Sequence, residues 1–397
     1  MKKLIALLLV AVMVFAMAAC APTDETGEET LKVGFIFLHD ENSTYDKNFI
    51  DAAKIACENM GVEMFQKTQI PESNACYDAA IELIETDGCS IIFADSFGHE
   101  AFLMKAAKEH PEVQFCHATG TQAHTANLAN FHNAFAHIYE GRYLAGVVAG
   151  LKLKEMIDSG KITAAQAKMG YVGAFTFAEV ISGYTSFYLG AKSIVPEVTM
   201  DVKFTGSWYD EAKEKQAAQS LIDGGCVLIS QHADSMGAPT ACEAAGVPNV
   251  SYNGSTAAAC PDTFLISSRI NWVPYFEYMI TQVKNGKAID TDWAGDLENG
   301  AVALTDLGTA APAGTAEKLA DVKAKLIAGE INVFNTANFT VKGETLTSYM
   351  ANVDEDADRA PDTEVIENGI FMESKFRSGP YFDIEIDGIT LLDRAYG

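Results

Sequence analysis

The sequence predicts an α/β fold built as two doubly wound α/β lobes. Short apolar runs alternate with longer amphipathic stretches, and this alternation restarts once along the chain. The 397 residues also suffice for two domains with their own cores, at roughly 100–200 residues per domain.

The first round opens with Leu31–Leu38 (LKVGFIFL), an apolar run of strand length. Tyr45–Met60 follows as a helix with Phe49, Ile50, Ala53, Ile55 and Ala56 on or beside one face. Val62–Gln66 reads as a strand, Asn74–Thr86 as a helix and Cys89–Ala94 as a strand. Glu100–His110 is helical and Val113–His117 strand-like. Ile138–Leu151 is a helix rich in glycine and alanine, and its Gly146-Val-Val-Ala-Gly150 spacing predicts a close contact with another helix or a sheet. The cycle then restarts with Lys168–Gly173 (strand), Ala178–Ser193 (helix), Val198–Thr205 (strand), Asp210–Ile222 (helix), Cys226–Gln231 (strand) and Ser235–Ala245 (helix). Val247–Tyr252 and Thr263–Ser268 are further strands. In the C-terminal part, Ile331–Gly397, the stretches 341–347, 369–373, 381–386 and 388–392 read as strands. The acidic loop Asp354–Asp362 lacks EF-hand spacing and reads as solvated.

Ligands of open parallel sheets sit beyond the carboxyl ends of the strands. The loops at those ends are His39–Tyr45, Asp95–His99, Ala118–Thr121, Ala174–Glu179, Gly206–Asp210, Gln231–Ser235 and Asn253–Thr256. They hold aromatics, hydroxyls, amides and a few carboxylates, the chemistry of a cleft that stacks and hydrogen-bonds a small planar or hydroxylated molecule. Candidate contacts from these loops are Tyr45, Ser96, Phe97, Thr119, Phe177, Glu179, Trp208, Asp234 and Asn253, with Phe49 on the first helix. Asp210 is explained as a helix start. Trp208, in a loop rather than inside an element, is the candidate for stacking a ligand.

The N-terminus reads MKKLIALLLVAVMVFAMAAC: two lysines, an apolar run from Leu4 to Ala19, small residues and Cys20. That is the layout of a secretory signal, shorter than the ~20 residues of a membrane-spanning helix. Ala18-Ala19-Cys20 resembles the lipobox of bacterial lipoproteins, which implies cleavage before Cys20 and acylation of its sulfur, with 21–30 as an acidic tether. The formal charge is −26, and −28 once Lys2 and Lys3 are removed. Such acidity argues against nucleic acid or anionic headgroups as partners. Without Cys20 the cysteines number seven and lie mostly in apolar segments, as small core residues rather than a disulfide framework or a zinc site.

No Walker A loop, no GxGxxG after a strand, no GxSxG elbow and no HExxH occurs. The eight histidines show no pairing at metal-ligand spacing. The expectation is therefore a binding protein without metal or cofactor rather than an enzyme.

Several segments are familiar together: Asp46-Lys-Asn-Phe49, Ala94-Asp-Ser-Phe-Gly98, Phe115-Cys-His-Ala-Thr-Gly120, Tyr139-Glu-Gly-Arg-Tyr-Leu-Ala-Gly146, Trp208-Tyr-Asp210, Gln231-His-Ala-Asp-Ser235, Asn271-Trp-Val-Pro-Tyr275 and Phe376-Arg-Ser-Gly-Pro-Tyr-Phe-Asp383. They resemble the basic-membrane-protein (BMP) lipoproteins over nearly the whole mature chain. That resemblance implies a type I periplasmic-binding-protein-like fold, with two lobes joined by hinge strands and a ligand between them. The expected division is 1–19 signal, 20–30 lipidated tether, 31–137 plus about 268–300 for lobe 1, and 138–267 plus about 301–397 for lobe 2. It also implies a solute receptor of an ABC importer for purine nucleosides or bases, working as a monomer beside a membrane permease. The base is expected to stack between Trp208 and the aromatics Phe49 and Tyr45, with Trp272 also at the site. The two ribose-holding aspartates of nucleoside-binding relatives are replaced here, by Thr119 and by Asn253 or Gly254. A free purine base is accordingly the expected ligand, with Glu179, Asp234 and Asn253 as its polar partners. A nucleoside or another hydroxylated metabolite is the alternative. A surface nucleoside hydrolase or an adhesin are rivals of another class.

Overall fold

The computed structural model describes residues 30–355 and 359–394. The signal segment and Cys20 lie outside the described residues. Both sheets belong to one compact unit beginning at Lys32.

The first sheet has six parallel strands in the order β11-β5-β4-β3-β1-β2. Its strands are β1 (Lys32–Ile36), β2 (Glu63–Lys67), β3 (Ile91–Ala94), β4 (Gln114–Ala118), β5 (Phe131–Ala136) and β11 (Asp292–Gly295). Helices α1 (Thr44–Met60), α2 (Asn74–Glu85), α3 (Glu100–Glu109) and the short α4 (Ala123–Ala126) connect the first five of them. The second sheet has seven strands in the order β12-β10-β9-β8-β6-β7-β17, with only β12 antiparallel. They are β6 (Lys168–Gly173), β7 (Thr199–Phe204), β8 (Leu228–Gln231), β9 (Asn249–Tyr252), β10 (Phe264–Ile270), β12 (Val302–Leu304) and β17 (Ile389–Leu391). Helices α5 (Ile138–Asp158), α6 (Ala178–Lys192), α7 (Glu211–Asp223) and α8 (Gly237–Ala245) belong to it; α9 (Val273–Lys284) returns to pack on α1, and α10 (Thr315–Ile327) packs on α5. Each sheet therefore begins with the same winding, and each has a switch point where successive crossovers leave in opposite directions, between β1 and β3 and between β6 and β8.

The apolar runs named from sequence form strands because their side chains are buried on both faces: β3 and β8 are buried at all four positions. Around them pack Leu83, Leu103 and Phe115 in the first lobe and Leu221, Ile229 and Ala238 in the second. Gly146 and Gly190 let α5 and α6 meet backbone to backbone. A Cβ at Gly146 would lie 2.0 Å from Phe187 O, and one at Gly190 2.1 Å from Tyr143 O.

The chain crosses between the lobes at His137, at Asn271–Trp272 and over 296–301. These segments run side by side: His137 N donates to Gly295 O at 2.7 Å and Asn271 N to Ala301 O at 2.6 Å. Beyond α10 the chain differs from expectation. The expected strand at 388–392 forms as β17, but between α10 and β17 the described residues make only two-residue ladders, β13 (Met350–Ala351) with β14 (Thr363–Glu364) and β15 (Ile366–Glu367) with β16 (Ile370–Phe371). Residues 381–386 alternate like a strand but pair with none, because Phe382 packs instead into an aromatic cluster with Phe334 (4.4 Å, stacked) and Phe371. Likewise 341–347 forms only a single bridge, between Val341 and Glu344.

Candidate functional site

A cavity of about 280 Å³ lies between the lobes, at the carboxyl ends of the strands beside both switch points. The first lobe supplies it with Leu38 and His39 from the loop after β1, Tyr45 and Asp46 from the start of α1, Ser96 and Phe97 after β3, and Thr119 and Thr121 after β4. Ser43 caps α1, accepting from Asp46 N, while its hydroxyl donates to Asp46 Oδ2 at 2.6 Å. Asp46 also accepts from His39 N at 2.7 Å, so the whole turn is fixed. Tyr45 donates its hydroxyl proton to Asp95 O at 2.7 Å, holding its ring at the cavity wall.

The second lobe supplies Phe177 and Glu179 after β6, Trp208 after β7, His232 and Asp234 after β8, and Tyr252 and Asn253 at the end of β9. Phe177 stacks on Phe97 across the cleft (5.0 Å, 28°) and neighbours Phe175, which meets Trp208 edge-on. Thr44 N donates to Asp234 O at 3.0 Å, and the rings of His39 and Tyr209 lie 5.5 Å apart. The lobes are therefore closed on each other around the cavity.

Two carboxyls of the second lobe face the cavity in different surroundings. Asp234 is pushed well above the usual carboxylate range by burial and by Asp46, Glu214 and Glu179 nearby, which favours its neutral, donating form. Asn253 Nδ2 donates to its Oδ1 at 3.4 Å. Glu179 sits at the end of a buried chain. Arg142 Nη2 approaches His232 Nδ1 at 3.1 Å, and His232 Nε2 lies 2.7 Å from Glu179 Oε2. A guanidinium only donates, so Nδ1 is the acceptor and Nε2 carries the proton toward Glu179. Burial lowers the His232 pKa, in keeping with that neutral tautomer. Tyr252 donates to Glu179 Oε1 at 3.4 Å. Glu179 is thus a fixed acceptor and Asp234 a carboxyl whose surroundings favour the donating form, in a cavity that rings, hydroxyls and an amide also line.

The loops that carry these groups are held from behind by buried carboxyls. Glu100 accepts from Thr121 N (2.8 Å), Gln122 N (2.9 Å) and Asn133 Nδ2 (3.1 Å). Glu214 accepts from Ser235 N and Asp210 N, each at 3.0 Å. Thr119 has φ 65° and Asn253 φ 64°, the left-handed region that a β-branched threonine seldom enters.

Of the residues singled out in sequence, Tyr45, Ser96, Phe97, Thr119, Phe177, Glu179, Trp208, Asp234 and Asn253 line the cavity. Phe49 and Trp272 do not, and this corrects their expected place at the ligand. Phe49 is 2% exposed and stacks on Trp272 (4.2 Å, 27°), itself 1% exposed; Tyr45, one helical turn earlier, stands between Phe49 and the cavity. Sequence reasoning missed His39, Asp46, His232 and Tyr252, although His39 and His232 lie inside loops it named. It also missed Arg377, Pro380 and Asp383 of the C-terminal part, which line the cavity too. Their only sequence signal was the run Phe376-Arg-Ser-Gly-Pro-Tyr-Phe-Asp383. Cys57, Cys76, Cys89, Cys116, Cys226, Cys242 and Cys260 are free and buried away from the site.

Comparison with known proteins fits this architecture. The description "ABC transporter substrate-binding protein PnrA-like" of the Bmp family matches residues 37–336. A purine-binding protein of Brucella abortus is 33% identical over 314 residues, covering 77% of this chain and 84% of that one. A putative ABC transporter glucose-binding protein of Haloferax volcanii is 29% identical over 250 residues, 63% of this chain and 60% of that one. Among solved structures, an ABC transporter solute-binding protein from Conexibacter woesei superposes with a TM-score of 0.61 at 21% identity, over 76% of this chain and 98% of that one. Sheet winding, the three crossings and the closed inter-lobe cavity are those of a type I periplasmic binding protein, and the chain belongs to the Bmp family of ABC transporter substrate-binding proteins.

Proposed function

We propose that the cleft takes a free purine base and that the protein, anchored through an acylated Cys20, delivers it as a monomer to a membrane permease. The observation that carries this reading is the pairing of a fixed acceptor, Glu179, with Asp234, whose burial among other carboxylates favours a donating O–H, in a cavity whose rings are Tyr45, Phe97, Phe177, Trp208 and Tyr252. A purine ring offers N–H groups to the first, ring nitrogens to the second and flat faces to the aromatics. The purine-binding Brucella relative supports the same class. Anchoring rests on the Ala18-Ala19-Cys20 layout alone; Cys20→Ser should release the protein from the membrane fraction, and its retention there would remove the anchor.

The deciding experiment is native mass spectrometry of the soluble chain from Ala21 after unfolding and refolding with adenine, guanine, hypoxanthine, their nucleosides and glucose. Bases bound in preference to nucleosides and glucose are the expected result. Tighter nucleoside binding would show that Thr119 and Asn253 serve a ribose after all, and tight glucose binding would replace the purine reading.

A further inference from the structure

The segment Glu373–Asp383 lies beyond the stretch that the family description covers, yet it reaches both lobes and the cavity. On the second lobe, Ser182 of α6 donates to Glu373 Oε1 at 2.5 Å. The first lobe is met at Ser378, whose backbone N and side-chain Oγ both donate to Asp292 Oδ1 at 2.8 Å; Asp292 opens β11, one of the two edge strands of that sheet. Then β17 returns the chain to the second sheet beside β7.

Between these ties the segment is stiffened by a buried cation. Arg377, 5% exposed, donates from Nε to Gly379 O (3.0 Å), from Nη1 to Val353 O (3.2 Å) and from Nη2 to Pro380 O (3.2 Å). Gly379 rests on the loop that carries Thr119: a Cβ there would stand 2.8 Å from Gly120 O and 3.3 Å from Thr119 O. Arg377, Pro380 and Asp383 then face the cavity, with Asp383 accepting from Tyr349 at 2.6 Å. A mere tail would not combine a tie to each lobe, a buried guanidinium and a share of the cavity wall.

We propose that Arg377–Asp383 is a third wall of the ligand site, clasped to the first lobe by Ser378 on Asp292, and that this clasp holds the closed state and slows ligand release. The inference rests on the reading of the cleft as the ligand site. Because the wall seats directly on the Thr119 loop, it also limits how far a ligand can extend on that side.

The test uses Ser378→Ala, Asp292→Asn, their combination, and Gly379→Ala, which pushes the wall off Gly120 without deleting a hydrogen bond. Spin labels at Lys108→Cys and Glu211→Cys, one per lobe and both exposed, report the inter-lobe distance without ligand. Stopped-flow tryptophan fluorescence reports release of the tightest-binding base. The expected result is a distance distribution widened toward longer values and release faster by roughly tenfold, the scale of one hydrogen bond to a carboxylate. The double variant should change less than the sum of the singles, since Ser378→Ala deletes the Oγ bond and Asp292→Asn weakens both bonds to the same Oδ1. Wild-type distances and release rates in all four variants would overturn the clasp. If no base binds the wild-type chain, the purine reading fails, and the distance measurement still decides the clasp.

Discussion

Trp208 shows how a residue's place in the chain decides its role. It sits in the loop after β7, where no sheet or helix buries it, and its indole stays half-exposed at the cavity. Trp208→Ala should weaken base binding by roughly 1–3 kcal/mol, the scale of base–aromatic stacking. Titration calorimetry giving unchanged affinity would remove Trp208 from the site. Phe49 carried the same aromatic signal, but its position on α1 turns it into the core. The difference is a rotation about the helix axis, which composition does not record. Glu179 and Asp234 were visible as loop carboxylates, whereas their different surroundings were not: Asp234 is buried beside Asp46 and Glu214, and Glu179 ends the Arg142–His232 chain. Glu179→Gln turns half of a fixed acceptor into a donor aimed at ligand N–H groups. A loss of about 1.5–3 kcal/mol in the same titration is expected, and a wild-type constant would assign the ligand's N–H to another partner.

At the scale of elements, the strands and long helices from β1 to β4 and from α5 to β10 were legible, whereas α9, α10, β11 and β12 were not read. The strand at β5 was also missed, because His132 and Asn133 interrupt its apolar run. Both are buried and satisfied inside the protein, His132 by Gln114 Oε1 and Asp290 O and Asn133 by Glu100 and Ala123 N. The C-terminal stretch was misread in the opposite sense, since alternation there serves an aromatic cluster rather than a ladder. Glu373, which ties that stretch to α6, gives it a dependence on pH. Burial raises its pKa from 4.5 to about 7, helped by Glu179 and Glu140 and opposed by the bond from Ser182. Between those values the folded protein keeps a proton that the unfolded chain releases. Its contribution to stability is therefore full below about pH 4.5 and is lost as pH rises through 7. Denaturant unfolding of wild type and Glu373→Gln at pH 5 and pH 8 should show the wild type losing on the order of 2–3 kcal/mol relative to the variant. Parallel pH profiles would mean that Glu373 is ionised in the fold throughout.

For the whole molecule, the decisive feature is that the lobes meet across the cavity. Phe97 on Phe177, Thr44 on Asp234 and His39 beside Tyr209 all join the lobes across its mouth. Parting of those contacts widens the way in for a ligand, and the three crossings at His137, Asn271–Trp272 and 296–301 are where the chain can bend. An aromatic pair is worth about 0.5–1.5 kcal/mol, so these contacts bias the equilibrium toward closure without locking it. A base touching Glu179 on one lobe and Tyr45 on the other adds its binding energy to the closed state alone. Small-angle scattering should then show a smaller radius of gyration with saturating base than without it. Phe97→Ala removes one ring of the mouth, so the free variant should scatter as a more open molecule and bind with up to about tenfold lower affinity, while saturating base restores the compact curve. Identical curves for free and bound wild type would make the lobes one rigid body and leave ligand entry to a movement of the Arg377–Asp383 wall by itself.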